Sequence, residues 1–369
     1  MRILHICGYY TGSKVHKELF ERLDKRDVEQ TIYSALQTSN PTVGANIFEA
    51  KNTSFICSPI LHLWHRALFL TKTRRILKDV ERRCDVRNFD LIDATTSYTD
   101  GAVAYRLHKK YGTPYVITVR NTDLNDFMKF PQWWPIHRKT LKAASKIIFI
   151  TPAMKEKFIA HSSLRGLEQE IEAKSVIQPN GINAYWLNHL DVTRRDNHSI
   201  FYVGKFDNNK NVLRLIEAVQ SLRTEIPDAQ LNLVGGDGAQ HEDVLAKVAG
   251  NPEWLNYHGK IFDKDQLQSL YQQNAVFAMP SHHETFGLVY VEAMSQGLST
   301  LCTKGEGIDG VFKKKIGEFV DSHSVESIRE ALRKLLNNNE EYELLSVEEL
   351  MAFDWDVIAE RYMSLFENV

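Results

Sequence analysis

With 369 residues, 43% of them hydrophobic, the chain is long enough for two ordinary domains, each burying its own core. Cys7, Cys57, Cys84 and Cys302 have neither CxxC nor zinc-ligand spacing, which excludes a disulfide framework and points to the reducing cytosol. The formal net charge is only −2, yet residues before 190 carry 28 Lys+Arg against 18 Asp+Glu and those after it 17 against 29, a basic front half and an acidic back half. A basic half suits an anionic partner, and charge alone does not choose among phosphate-bearing lipid, nucleic acid and other polyanions. MRILHICGYY has no charged segment leading into a long apolar core, and no apolar run approaches the ~20 residues that span a bilayer, so neither export nor a membrane span is expected.

Short β-branched runs, each followed by a polar or glycine turn and then helical periodicity, fall into two sets. RILHIC, LIDATT, YVITVR, KIIFIT and SVIQPN lie in front; SIFYVG, QLNLVG, AVFAMP and LSTLCT lie behind. Such alternation predicts parallel sheets with helices on both faces. The pattern pauses between Pro179 and Ser199, where PNGIN and the polar DVTRRDNHS read as a linker. The expected organisation is therefore a Rossmann-like domain over 1–190, a second over 191–350 facing it across a cleft, and a C-terminal helix over 351–369.

Within the front half, CGYYTGSKVHKEL passes from a strand through a turn with Gly8 and Gly12 into a helix that Ser13 is placed to cap, so its amides can face a phosphate or an acceptor. It lacks the GxGxxG that a dinucleotide-binding fold shows after its first strand, which counts against an NAD dehydrogenase. Residues 61–83, LHLWHRALFLTKTRRILKDVERR, carry seven basic against two acidic residues, with Leu61, Trp64, Leu68, Ile76 and Leu77 along them. An interfacial helix on an anionic membrane surface has this composition, and so does an ordinary helix packed on its own sheet. Trp133 and Trp134, near Phe127, Phe130 and Pro131, suit a membrane-facing or acceptor-facing patch, or internal packing.

Behind the linker, FYVGKFDNNKNVLRLIEAV ends a strand at Gly204, continues with Lys205, and places Lys210 and Asn211 just before a helix; two lysines at such a turn suit a diphosphate. QLNLVGGDGAQ brings another strand to a glycine-rich turn at Gly235, Gly236 and Gly238, where backbone can approach a nucleotide. The triplets Asp263-Lys-Asp265 and Asp354-Trp-Asp356 spell a metal-diphosphate motif, but both stand at predicted helix starts and Asp263 with Gln266 forms a capping pair, so no metal is expected. His282 and His283 lack HExxH spacing. In PSHHETFGLVYVEAMSQGLSTLCT, Glu284 and Glu292 stand eight apart around Phe286 and Gly287, with a small-residue helix leading to a further strand. The amides of Thr285, Phe286, Gly287 and Leu288 at this helix start favour a phosphate or sugar oxygen. An ordinary surface glutamate pair is the alternative.

This segment resembles the Glu-x7-Glu signature of the retaining family 4 glycosyltransferases, enzymes of the α/β GT-B fold with two Rossmann-like domains. The upstream lysine turn is similar to the family's glycine-basic turn, with Lys205 where many relatives have arginine. The likeness is specific from Phe201 to Cys302 and architectural from Met1 to Ala160. It implies a nucleoside diphosphate sugar as donor substrate, UDP-sugar ahead of GDP-sugar, with no cofactor required. Glu284 would take the sugar, Glu292 the ribose, Lys205 and Lys210 the diphosphate, with Gly12, Gly204, Gly235, Lys260 and Ile261 bordering the donor. Relatives carry a His-Gly-x-Asp type segment after the strand YVITVR; here Arg120 replaces the histidine and Asp123 remains. The histidine's contact is then lost, replaced by Arg120 or made by the backbone, or Arg120 instead binds an acidic group on the acceptor or donor; Asp123 acts beside the reacting centre or caps a helix. PNGIN resembles the family's interdomain turn.

The expectation is a cytosolic hexosyltransferase, peripheral at the inner membrane, acting on a glycan or lipid-linked glycan in bacterial surface polysaccharide synthesis. Nucleic acid is not an expected partner, because the basic residues are not interleaved with an aromatic platform. A non-catalytic nucleotide-sugar-binding or scaffold protein, and a sugar-nucleotide 2-epimerase, are the alternatives on the same fold. The last segment, FDWDVIAERYMSLF, spaces Trp355, Ile358, Tyr362 and Phe366 along one helical face that needs an apolar groove, and this helix is expected to cross back and pack on the first domain.

Overall fold

Ile3, Leu4 and Ile6 are inaccessible to solvent, as a strand covered on both faces requires. They belong to β1 (Arg2–Ile6) in the computed structural model, which describes residues 1–41 and 43–369. The chain divides into two units: Met1–Ile150 with Lys155–Asn180 and Trp355–Val369, and Thr151–Met154 with Gly181–Asp354.

In the first unit, β1 is followed by α1 (Lys14–Lys25), β2 (Glu29–Gln37), β3 (Thr53–Leu61), α2 (Phe69–Arg83), β4 (Leu91–Ala94) and α3 (Thr99–Tyr111). Then come β5 (Tyr115–Thr118), α4 (Trp134–Ala143), β6 (Lys146–Phe149), α5 (Pro152–Ile159, whose residues up to Met154 group with the second unit), α6 (Glu168–Lys174) and β7 (Ser175–Ile177). The sheet order is β3-β2-β1-β4-β5-β6-β7, and its strand pairs are parallel. Strand order reverses between β1 and β4, which opens a crevice at their carboxyl ends where α/β sheets bind ligands.

The second unit begins with α7 (Ala184–Asn188) and β8 (Ser199–Lys205), then α8 (Val212–Leu222), β9 (Gln230–Gly236), α9 (His241–Gly250), β10 (Leu255–Tyr257) and α10 (Lys264–Gln273). It continues through β11 (Val276–Ala278), α11 (Leu288–Met294), β12 (Ser299–Thr303), β13 (Gly317–Val320), α12 (Val325–Asn337) and α13 (Val347–Met351). Its parallel sheet has the order β10-β9-β8-β11-β12-β13, so the reversal falls between β8 and β11. The lysine turn leaves β8 and the glutamate loop leaves β11, so this topology brings together two motifs far apart in sequence.

The final helix, α14 (Trp355–Glu367), returns to the first unit. Trp355, Ile358, Ala359, Tyr362 and Phe366 are buried in one cluster with Leu19, Phe20 and Leu23 of α1 and Ile32 of β2. Each large side chain so buried contributes roughly 1.5–3 kcal/mol. At the start of this helix Asp356 pairs with Arg26 at 2.8 Å, and Asp263 accepts from the Gln266 amide at 2.8 Å as the N-cap of α10. Both acidic triplets thus have structural partners.

Two sequence expectations are corrected. Ser13 stands at the N-cap of α1 in extended conformation, but its hydroxyl makes no capping bond; its carbonyl instead accepts from Asn46 Nδ2 at 3.0 Å. Residues 61–83 are not one helix. Leu61 ends β3, a short 3-10 turn spans Leu63–Arg66, and α2 buries Ile76 and Val80 while Leu63, Trp64, Leu68 and Leu70 are exposed. The side chain of Arg66, one of the seven basic groups there, lies outside the described residues. Among the described residues no helix is long and apolar enough to cross a membrane.

Candidate functional site

The turn after β8 is built by asparagines. Lys210 N–H donates to Asp207 Oδ1 at 2.9 Å, and Asn211 enters α8 in the left-handed region at φ 59°. The buried Asn211 Nδ2 donates to the carbonyls of Pro280 at 3.0 Å and Ser322 at 2.7 Å, tying the turn to the end of β11. Asn209 runs beside the next loop: its carbonyl accepts from His282 N–H at 2.8 Å, its Oδ1 from His283 N–H at 3.0 Å, and its Nδ2 donates to the His283 carbonyl at 2.9 Å.

This lacing sets Lys210 Nζ against Glu284 Oε2 at 2.5 Å, with side chains 24% and 14% exposed. The pair is sheltered but reachable by a ligand. Glu284 Oε1 also accepts from the Thr285 amide at 3.2 Å, so of the four amides expected to face a ligand, that of Thr285 is occupied. Those of Phe286, Gly287 and Leu288 have no protein acceptor among the described residues. Gly287 caps α11 at φ 78°, and a Cβ there would stand 2.4 Å from the Tyr290 ring, so glycine is required for this loop to turn into this helix.

Glu292, on α11, has intermediate exposure, but its carboxyl group is set deep among protein atoms. Desolvation pushes its pKa up to about 7, against the opposing pull of a hydrogen bond with the Trp186 side chain and the charge of Lys264. It is not the solvated helix residue of the ordinary reading. Among the described residues no hydrogen bond or ion pair joins it to Glu284 or Lys210.

The donor-side glycines make room for backbone. Gly235 has φ 129°, and a Cβ there would lie 1.9 Å from the Gly204 carbonyl oxygen, so β8 and β9 end in an approach that no side chain permits. Lys205 is exposed at the end of β8. Lys260 pairs with Asp237 at 2.5 Å, which holds the Asp237 carboxyl below its usual range, and Ile261 is of intermediate exposure.

In the first unit, the Asp123 carboxylate is buried and accepts three backbone N–H groups: Ser97 at 3.0 Å, Arg120 at 2.9 Å and Tyr98 at 3.1 Å. It therefore joins the loops after β4 and β5, and its bond to the Arg120 amide also caps the helical turn that begins at Asn121. Burial pushes its pKa up to about 6, and the three amides pull the other way. Arg120 Nη1 reaches Asn180 Oδ1 at 3.5 Å, and its buried Nε has no partner among the described residues. Asp100, which sequence reasoning missed, accepts from Thr95 Oγ1 at 3.0 Å and the Gly8 amide at 3.4 Å; burial pushes it up to about 6 as well. Gly12 carries the Tyr9 ring against its Cα, with Tyr9 65% exposed. Trp133 is partly buried, stacked on Phe69 with centroids 4.9 Å apart, whereas Phe130 beside it is exposed.

Two family models match the chain: the Glycosyltransferase Family 4 model over residues 13–184, and the model for Glycosyl transferases group 1 over residues 192–347. A probable sucrose-phosphate synthase of Thermosipho melanesiensis is 25% identical over 309 residues, covering 74% of this chain and 69% of that one. Among solved structures, sucrose-phosphate synthase from Thermosynechococcus elongatus superposes with a TM-score of 0.73 at 19% identity, covering 100% of this chain and 98% of the other. Anabaena HepE in complex with UDP gives a TM-score of 0.69 at 14% identity, covering 100% and 99%. The fold of these neighbours is GT-B.

Proposed function

Because the chain belongs to the family 4 glycosyltransferases of the GT-B fold, we propose that it moves a hexose-type sugar, with retention at the anomeric carbon, from a nucleoside diphosphate sugar to a hydroxyl of a glycan or lipid-linked glycan. The observation that carries this reading is the Lys210–Glu284 pair at the strand-order reversal of the six-stranded sheet. A cation for a diphosphate and a carboxylate for sugar hydroxyls stand side by side where such sheets hold nucleotides. UDP-sugar is the favoured donor, a choice supported by the UDP found in the Anabaena neighbour.

In this mechanism the donor diphosphate draws Lys210 and Lys205 and frees Glu284 to accept from sugar hydroxyls. The amides of Phe286, Gly287 and Leu288 add donors for the same anion. Glu292 accepts from the ribose hydroxyls, and the Gly204–Gly235 approach lets backbone border the nucleotide, with Lys260 and Ile261 at its edges. The acceptor oxygen bonds to C1 on the face from which the phosphate oxygen departs, and its proton passes to that departing phosphate. Lysine charge meets the negative charge developing on the leaving group. Arg120, with no carboxylate partner among the described residues, receives an anionic group of the acceptor or donor, and Asp123 fixes the backbone on which Arg120 stands.

Thermal-shift screening against UDP, GDP, ADP, CDP and their glucose or mannose derivatives tests the reading, because a ligand of the folded state raises the melting temperature. One nucleotide series should shift it and lose the shift in Lys210→Ala. Silence across all four series sinks the donor assignment. An anionic membrane surface is the proposed companion of a lipid-linked acceptor: exposed Leu63, Trp64, Leu68 and Leu70 adjoin exposed Arg74, Arg75 and Lys78. Flotation with phosphatidylglycerol vesicles but not phosphatidylcholine vesicles is expected, and Trp64→Ser with Leu68→Ser should abolish it.

A further inference from the structure

The loop that carries Glu284 is held from its other side by the turn after β12. Glu306 in this turn is 8% exposed, and its Oε2 accepts the Glu284 amide at 3.0 Å while its Oε1 lies 3.4 Å from His283 Nδ1. The next residue completes the hold: Gly307 N–H donates to the Glu284 carbonyl at 3.0 Å. Both backbone polar groups of Glu284 are thus fixed by two consecutive residues lying 22 and 23 positions further on. The turn is itself braced, with Thr303 Oγ1 donating to the Ser281 carbonyl at 2.7 Å and the Gly305 amide to Asp309 Oδ2 at 2.7 Å.

We infer that Glu306 is the positioning residue of the donor site, setting the place from which Glu284 reaches the sugar; the inference rests on the sugar-binding role proposed for Glu284. A carboxylate is suited to this because one oxygen can take an amide while the other holds the His283 ring, so loop and side chain are fixed together. The placement is otherwise costly, since Glu306 puts a buried acid beside the partly exposed Glu284. An acid at such a position is explained by the bracket it makes. Glutamine keeps one acceptor oxygen at the same reach, whereas alanine leaves the Glu284 amide without its acceptor.

Hydrogen exchange of peptides spanning 281–288, together with steady-state hydrolysis of UDP-glucose, separates the possibilities in Glu306→Ala and Glu306→Gln. Glu306→Ala should speed exchange of those peptides at least tenfold and leave peptides of α8 and α12 unchanged. Its kcat should fall tenfold or more with KM moving less than threefold, and Glu306→Gln should recover both readouts to within threefold. Wild-type exchange in Glu306→Ala overturns the bracket whatever the turnover. Faster exchange with undiminished kcat overturns the positioning role. Should the wild-type protein neither bind nor hydrolyse any nucleotide sugar, the transferase reading fails, and the positioning role with it, while the exchange result still decides the bracket. Melting of both variants without ligand shows that each is folded, and if Glu306→Ala is unfolded, a tenfold loss of kcat in folded Glu306→Gln overturns the proposal.

Discussion

Lys210 and Glu284 lie 74 residues apart in the chain and meet at 2.5 Å, each on a loop that leaves one of the two strands flanking the reversal of the second sheet. Neither side chain has a second ion-pair partner among the described residues, so removing one leaves the other to water or to a ligand. Lys210→Ala should lower kcat/KM for the nucleotide sugar about 100-fold, equivalent to ~2.7 kcal/mol of transition-state stabilisation. The melting temperature should move by only a few degrees, because the pair is partly open to solvent and the asparagine lacing stays intact. Steady-state kinetics and a melting curve check this together; full activity removes Lys210 from the site.

Glu292 makes donor binding depend on pH. Its folded pKa is raised to about 7 from a usual 4.5, so between those values the folded chain holds more protons than the unfolded one. Its contribution to stability is therefore complete below about 4.5 and is lost as pH rises through 7, a loss of a few kcal/mol, on the order of 3. Ribose hydroxyls donate to the ionised carboxylate, so donor affinity should run the opposite way and strengthen as pH passes 7. Calorimetric titration of UDP-glucose from pH 6 to 8 reads this without interference, since its diester phosphates do not titrate there. Glu292→Gln should flatten both trends; a wild-type affinity that is level across the range argues that Glu292 does not meet the donor as a carboxylate.

How much of this was legible beforehand depends on whether a residue's partner is local. Ile3, Ile117, Ile147 and Phe277 fall in runs whose composition alone requires buried strands, and Asp263 caps α10 through an amide three residues away. Ser13 satisfies the same local rule as Asp263, yet its hydroxyl makes no capping bond; that segment is instead tied through the Ser13 carbonyl to Asn46, which no local pattern announces. Asn209 and Glu306 shape the Glu284 loop through partners 74 and 22 residues distant, and in sequence each is only a polar residue in a turn. The break in residues 61–83 was hidden similarly, because the helical spacing of Leu61, Trp64 and Leu68 crosses the end of β3.

The approach of β8 to β9 makes a stricter demand than either lysine. An alanine at Gly235 would place Cβ 1.9 Å from the Gly204 oxygen, far inside contact distance, and at a φ of 129° that side chains rarely adopt. Relief requires the strands to part just where Lys205 leaves the sheet. Gly235→Ala should cost roughly 3 kcal/mol or more, combining backbone strain with lost strand pairing. Denaturant unfolding measures the cost, and a loss below about 1 kcal/mol would mean that this end of the sheet parts easily.

The return of α14 to the first unit raises a question of magnitude, since it joins α1 both by an apolar face and by ion pairs. Arg26 and Asp356 meet at 2.8 Å, but Asp356 is 57% exposed, and pairs of that kind are worth about 0–1 kcal/mol. Trp355, one position earlier, is 3% exposed within the cluster of Leu19, Phe20 and Leu23. Its truncation removes a large buried ring and leaves a cavity, a change that costs about 3–5 kcal/mol. Trp355→Ala should therefore lower the unfolding free energy several times more than Arg26→Ala, and added salt should weaken only the ion pair. Equal losses in the two variants, or a loss for Trp355→Ala that salt removes, would show that charge rather than apolar burial holds the helix in place.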